Sequence, residues 1–389
     1  MEKNDATEVA SKPQIFKIGV FSAGHLINDV YMNQIQVLIP FWVIAGLSAA
    51  QGGFLVAAFT ISSSILQPIF GILSDRKSYR WLIFCGTAWM TILLSLMGLT
   101  HQYMLLFTLA MLAGLGTAAF HPQASKMVAQ CSGSHKSFAQ AIFIAAGNVG
   151  WALTPLCIVP LVNNFGMSVT PLFAIPGLVI SFLLWIITRN RTFAATESKV
   201  TTPVWSTLKE HSHELLKILL IVALRSLTYS SLIAFLPLYL KEHNVSLITS
   251  SRMLSFMLFT GSIGGLVGGF LADKYSRRMI LITSLALTTP LYILFIMTQG
   301  WLSIFFLGIA GACLLATFSV TVTAAHKVIR NNAGLASGLT LGFGQGIGGL
   351  GVGLMGIVAD KAGFDIAIYC LIALPLLASL ISIKLKNID

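Results

Sequence analysis

The sequence predicts an all-α polytopic membrane protein in which twelve transmembrane helices form two repeated halves of six, and three observations lead there. Hydrophobic residues make up 56% of the 389 residues and charged ones only 10%. Together with a mean hydropathy of +0.84, this excludes a soluble globular domain. Apolar blocks of about 20 to 30 residues recur along the chain, each long enough at ~1.5 Å rise per residue to cross a ~30 Å hydrocarbon core as a helix. Finally, GILSDRKSYR at 71–80 and GFLADKYSRR at 269–278 share a glycine, three residues, an aspartate and then basic residues. Their offset of 198 residues is half the chain, as a duplicated six-helix unit requires.

In order, the spans are predicted at 16–45, 51–73, 81–99, 103–130, 137–163, 168–188, 214–240, 248–271, 279–299, 301–328, 334–360 and 363–385. A polar tail, 1–15, precedes the first. The apolar run after it is too long for a signal-peptide core, so the tail is expected to remain as a short cytoplasmic extension. The second and eighth spans end on the repeated GxxxD loops. Their Gly71, Asp75, Arg76 and Arg80, and Gly269, Asp273, Lys274 and Arg278, are candidate gating residues. A carboxylate at a helix end can accept from free amides or pair with these cations, and such contacts break when two halves rock apart. The fifth span carries Gly147, Gly150 and Pro155, and the eleventh the densest glycine run, Gly334, Gly338, Gly342, Gly344, Gly346, Gly348, Gly349, Gly351, Gly353 and Gly356. Glycines four residues apart let helices approach closely, and the same residues permit bending. One long polar stretch, 189–213, is read as a cytoplasmic linker between an N-terminal bundle, 16–188, and a C-terminal bundle, 214–389.

A formal charge of +11 would suggest a nucleic-acid partner in a soluble protein. Here its placement decides otherwise. With a cytoplasmic amino terminus, twenty of the twenty-four Lys and Arg residues fall on the cytoplasmic side. The positive-inside rule then puts both termini in the cytoplasm of a cell (inner) membrane. Lys126 and Lys327, near helix ends, are expected to snorkel. Cys85, Cys131, Cys157, Cys313 and Cys370 form no CxxC pair, so no disulfide framework, metal or cofactor is expected. No cluster of nucleophile, base and orienting group marks an enzyme.

The first span holds GHLINDVY at 24–31. Of thirteen acidic residues, Asp29 alone stands mid-span, where a charge costs about 2.5–3.5 kcal/mol even on the lenient insertion scale. It must face the bundle interior. A buried carboxylate there can carry a proton, with His25 one turn earlier on the same face and Asn28 and Met32 continuing the stripe. His121, in AAFHPQASK of the fourth span, falls at a similar depth, so Asp29, His25 and His121 are the candidate proton-coupling residues. Arg225, in VALRSLTYSS of the seventh span, is the one basic residue placed mid-span. Its guanidinium stays charged, so it is the candidate anion holder or a partner for Asp29. Tyr229, Asn148, Asn28 and Gln345 are the candidate polar lining of a substrate cavity.

The paired GxxxD(R/K) loops resemble the signature between the second and third helices of the major facilitator superfamily. GHLINDVY, LQPIFGILSDRK, AAFHPQASK, AQAIFIAAGNVGWALTPL and GFGQGIGGLGVGLMGIVADK look like its fosmidomycin-resistance branch. The resemblance implies a major facilitator fold, two pseudo-symmetric bundles around a cavity that opens alternately to each side. It also implies a gating role for the loop motif. The sequence departs from that branch at Gln123 and Arg225, where the branch carries glutamate and lysine, and it lacks the fourth-helix arginine of many drug/proton antiporters. The expectation is a monomeric, proton-coupled exporter of a small, anionic organic compound or a drug. Its partners are then substrate, protons and the lipid bilayer. The alternative is uptake or exchange of an anionic metabolite. A transporter-like sensor would be expected to carry an appended soluble domain.

Overall fold

The computed structural model describes residues 13–76, 79–133, 135–189, 209, 211–329, 336, 338–386 and 388. Among these, the long elements are α1 (Ile15–Ile44), α2 (Ala49–Arg76), α3 (Trp81–Leu96), α4 (Tyr103–Cys131), α5 (Lys136–Phe165), α6 (Ala174–Thr188), α7 (Ser212–Glu242), α8 (Leu247–Lys274), α9 (Arg277–Met297), α10 (Gly300–Val328) and α11 (Gly344–Ile383). A 3-10 stretch, Met167–Phe173, leads into α6 and a π-helical turn, Gly338–Phe343, into α11. All-helical architecture is what lipid demands, because a helix satisfies its own backbone hydrogen bonds where no water can.

Ten of the described helices are long and apolar enough to cross a membrane. α1 falls short because His25, Asn28, Asp29, Asn33, Gln34 and Gln36 interrupt its middle, and all six are buried. Each polar group there needs a partner. Asn33 Nδ2 donates to the Trp151 carbonyl at 3.0 Å and Gln34 Nε2 to the Leu94 carbonyl at 3.0 Å. The Tyr31 hydroxyl joins the Phe173 carbonyl and accepts from Gly177 N at 3.2 Å. The polar stripe of α1 thus bolts it to α3, α5 and the start of α6.

The expected twelve spans require α11 to be counted as two. It runs 40 residues, and Gly363 inside it has φ 87° and ψ 163°. That left-handed conformation is strain-free only for glycine, so the helix breaks there and the chain doubles back. Asp360 meets the start of α2. By contrast Lys384 O, past the end of α11, accepts from Lys217 Nζ at the start of α7 at 2.9 Å. The two parts of α11 therefore lie antiparallel.

Within the first six helices α2 packs on α4, α1 on α5 and α3 on α6. In the later ones α8 packs on α10, α7 on α11 and α9 on α11. The halves meet where α2 lies against α11, α5 against α8 and α1 against α7. Of the proposed linker, residues 190–208 and 210 lie outside the described residues.

Contact between the halves is tightest at the end away from both termini. A Cβ on Gly53 would stand 2.5 Å from Val352 O, and one on Gly356 2.5 Å from Ala49 O. Only glycine allows the two backbones so close. Two hydrogen bonds seal the same end, Ala49 N donating to Asp360 Oδ1 at 2.8 Å and Ala50 N to Asp360 Oδ2 at 2.9 Å. Nearby, Pro40, Phe41, Pro155, Pro237 and Leu254 line a small apolar recess. Toward the other end the same seam loosens, since Cβ atoms on Gly342 and Gly346 would find only Ser64, at 3.9 and 3.8 Å.

Candidate functional site

Asp29, on α1, is 6% exposed, and an imidazole approaches each of its carboxylate oxygens. His25 Nε2 lies 3.4 Å from Oδ2 and His121 Nε2 3.2 Å from Oδ1. His25 stands one turn before Asp29 on the same helix, whereas His121 is 92 residues away on α4. The two rings meet edge to face with centroids 5.0 Å apart.

The other nitrogen of each imidazole faces a carbonyl. His25 Nδ1 is 2.7 Å from Phe143 O on α5, against whose ring it also stacks at 4.1 Å. His121 Nδ1 is 3.0 Å from Thr117 O, the carbonyl one turn earlier on α4. A carbonyl can only accept, so each Nδ1 carries its proton and donates. A neutral imidazole has no second N–H, which leaves both Nε2 atoms presenting lone pairs to a carboxylate. Lone pair facing oxygen at this range is repulsive. Each Nε2···O contact is attractive only with a proton, or another cation, between the two atoms. The trio is built to hold positive charge in a place where water is scarce.

Gly147 on α5 makes the trio possible. A Cβ there would stand 2.5 Å from Asp29 Oδ2 and 2.7 Å from His25 Nε2. Gly150, one turn on, lets α5 pass so close to Leu26 O that a Cβ would stand 2.2 Å from it. Both glycines belong to the seam that the sequence predicts for close packing or bending. Their position shows what the seam positions, the carboxylate and its imidazole.

His121 opens the trio to a small recess lined by Met32, Ser63, Gln67, Thr117, Ala118, His121 and Gln345. The walls come from α1, α2 and α4 on one side and α11 on the other, so the recess lies on the boundary between the halves. Of the expected substrate contacts, Gln345 lines it. Asn28 does not. It is fully buried, and its Nδ2 donates to Thr87 Oγ1 at 3.0 Å and to Gly24 O at 3.1 Å, tying α1 to α3. The stripe expected on α1 therefore splits, with Met32 turned to the recess and Asn28 turned away. Asn148 is half-buried on α5.

Arg225 is 3% exposed, with its Cζ 4.8 Å from the centre of the Phe318 ring on α10. Its Nη1 is buried without a hydrogen-bond partner. The expected pairing with Asp29 is not made here, since both Asp29 oxygens are taken by imidazoles. Tyr229 is within electrostatic reach of both Asp29 and Arg225. Its ring centroid is 6.0 Å from that of Trp151 on α5, which itself interacts with the Asp29 carboxylate. This aromatic pair joins α5 of the first half to α7 of the second. Sequence reading missed Trp151 and Phe318, because nothing in an apolar helix distinguishes a ring that meets a buried charge from one that meets lipid.

At the loop motifs, Arg80 and Arg278 do the same thing in each half. Arg80 Nη1 donates to Thr188 O at the end of α6 at 3.0 Å, and Arg278 Nη2 donates to Ile383 O at the end of α11. These arginines lock each half's third helix to its sixth through the unsatisfied carbonyls of a helix end, where a cation also complements the dipole. Lys274 Nζ lies 5.5 Å from the Tyr275 ring centre, and Asp273 is exposed. A Cβ on Gly71 would make an ordinary contact with Pro122 at 3.9 Å, and one on Gly269 would meet Ser319 Oγ at 3.0 Å. The side chains of Asp75 and Arg76 lie outside the described residues.

Sequence reading expected no metal set, yet the trio offers one. The ligand-type atoms of His25, Asp29 and His121 all lie within 4.8 Å of one another. No local spacing announces it, because the third member arrives from another helix.

The sequence profile of the Major Facilitator Superfamily matches residues 22–351 and, separately, 218–387. The fosmidomycin resistance protein of Escherichia coli (strain K12) is 27% identical over 373 residues, which cover 93% of this chain and 91% of that protein. A multidrug resistance protein of Salmonella heidelberg (strain SL476), MdtG, is 26% identical over 379 residues, 90% of each chain. Among solved structures, a bacterial homologue of the human lysosomal transporter Spinster, inward-facing and occupied, superposes with a TM-score of 0.82 at 16% identity, covering 96% of this chain and 97% of its own.

Proposed function

The chain belongs to the Major Facilitator Superfamily, and from that premise we propose that it is a proton-coupled exporter of a small organic compound, working by alternating access across the cell membrane. The observation that carries the proton is Asp29, a buried carboxylate between two imidazoles whose Nδ1 atoms are committed to carbonyls. Protons taken there hold α1, α4 and α5 together. Releasing them leaves lone pairs opposed and favours a rearrangement, which is how a titrating group biases two conformations. His121, on the wall of the recess, supplies the path by which protons and substrate compete.

The tight seam at the far end and the looser one toward the termini support a state whose cavity faces the side bearing the termini. The distribution of the basic residues supports a cytoplasmic position for that side. Export is supported by the resistance proteins among the relatives. Arg225 favours an anionic cargo. Its guanidinium cannot discharge, and its Nη1 has no acceptor, so a carboxylate or phosphonate has a bidentate partner waiting. The same residue serves a second reading, uptake or exchange of an anionic metabolite.

The test is transport by the purified protein in proteoliposomes under an imposed pH gradient, with a panel of phosphonates, organic acids and uncharged drugs. At least one compound is expected to accumulate, and a protonophore is expected to collapse that accumulation. Equal levels with and without the gradient, for every compound accepted, would remove proton coupling. A set of accepted compounds without anions would remove the role given to Arg225.

A further inference from the structure

We propose that the trio His25, Asp29 and His121 is also a binding site for a divalent transition-metal ion, of which Zn2+ is the type, and that the ion takes the place of the protons. The donor set suits it, two imidazole nitrogens and a carboxylate, the set found in many zinc and iron centres. The geometry is of the right scale. Ligand atoms ~2.0–2.1 Å from a tetrahedral zinc stand ~3.3 Å from one another, and here His121 Nε2 lies 3.2 Å from Asp29 Oδ1 and His25 Nε2 3.4 Å from Oδ2. One ligand atom from each of the three residues lies within 4.8 Å of the other two, so the set must close somewhat around an ion.

The tautomers are already set. A metal-bound histidine presents one nitrogen to the ion and donates the other N–H to a carbonyl or carboxylate, which fixes the ring. Both imidazoles do this before any ion arrives, His25 to Phe143 O at 2.7 Å and His121 to Thr117 O at 3.0 Å. Those bonds aim both Nε2 lone pairs at the space beside Asp29. An entry path exists too, because His121 borders the recess and its side chain is 18% exposed, leaving a fourth position for a ligand drawn from there. Two nitrogen donors exclude Mg2+ and Ca2+, which require oxygen.

Gly147 supplies the room. A Cβ at that position would stand 2.5 Å from Asp29 Oδ2 and 2.7 Å from His25 Nε2, inside the volume the ion takes. A bound ion clamps α1 to α4 and arrests the movement that transport requires. Binding itself does not depend on proton coupling. The block of transport does rest on the function proposed above.

The experiment is equilibrium binding of Zn2+ and of its spectroscopic substitute Co2+ to the full-length, tag-free protein in detergent. Wild type is expected to bind one equivalent, with the intense visible absorption of tetrahedral Co2+, unchanged by excess Mg2+. His121→Gln and Asp29→Asn are each expected to bind at least about tenfold more weakly. Should either variant unfold, Gly147→Ala decides, since it retains all three ligands and fills the space; it too is expected to lose the ion. Wild type that binds no Co2+, or binding of equal affinity in wild type and every folded variant, overturns the proposal. In liposomes, metal binding without any effect of a pH gradient would refute proton coupling and leave the metal site standing, whereas gradient-driven transport by a protein that binds no metal would do the reverse.

Discussion

Asp360 is expected to hold the far end of the molecule shut, and removing it should open that end by a measurable amount. Its two oxygens accept from the first two amides of α2, Ala49 N at 2.8 Å and Ala50 N at 2.9 Å. These donors have no partner within α2 itself, and the carboxylate meets the positive end of that helix dipole. Because α2 belongs to the first half and Asp360 to the second, the pair exists only while the halves are closed there. Loss of such a cap costs roughly 0.5–2 kcal/mol. Asp360 is exposed, so solvent screens the charge and about 1–1.5 kcal/mol is the fitting range. At ~1.4 kcal/mol per decade, Asp360→Ala should raise the ratio of far-end-open to far-end-closed molecules by about 5–12-fold. Asp360→Asn keeps one acceptor and should give a smaller shift. Spin labels on cysteines introduced at Ile44 and Glu242, both exposed at that end, report the population in a background without the five native cysteines. A distance distribution unchanged in Asp360→Ala would refute the reasoning and leave the two bonds as ordinary capping.

Gly147→Ala should reduce transport at least about tenfold while the protein still inserts, because the added methyl displaces Asp29 or His25 in a packed seam; transport assayed alongside thermal stability checks it, and wild-type rates would contradict it. Arg225→Gln should lose affinity for anionic substrate and retain it for a neutral one, with Arg225→Lys intermediate for want of the bidentate fork; equal retention of the anion would leave Arg225 to its stacking on Phe318. Asp75→Asn and Asp273→Asn should shift accessibility of introduced cysteines between the two faces with substrate affinity little changed once conformation is accounted for. Unchanged accessibility in both would make them solvated loop charges.

Helix positions were legible in the sequence because lipid imposes a length and a composition on every span. The predicted 103–130 became Tyr103–Cys131 and 301–328 became Gly300–Val328. Where prediction and structure part, the backbone leaves the ideal helix. The sixth span begins as a 3-10 stretch and the eleventh enters through a π turn, whereas the break at Gly363 falls at the boundary predicted between the last two spans. Hydropathy does not register such changes of winding. At the site, Asp29 and Arg225 stood out because a charge in an apolar helix is costly whatever surrounds it. So did His25, one turn before Asp29, and His121, at a similar depth, but the partner of Arg225 did not. Asp29 meets two imidazoles rather than Arg225, and Arg225 meets the face of Phe318. Which neighbour a buried charge takes depends on how helices far apart in sequence rotate against each other, and one sequence does not record that.

The central claim is that protons held at Asp29 drive transport, and Asp29→Asn tests it most directly. Asparagine keeps the shape and can still hydrogen-bond the imidazoles, but it cannot exchange a proton. In proteoliposomes the variant should still exchange labelled for unlabelled substrate across the membrane, while accumulation driven by a pH gradient disappears. Accumulation equal to that of wild type under the same gradient would contradict the account.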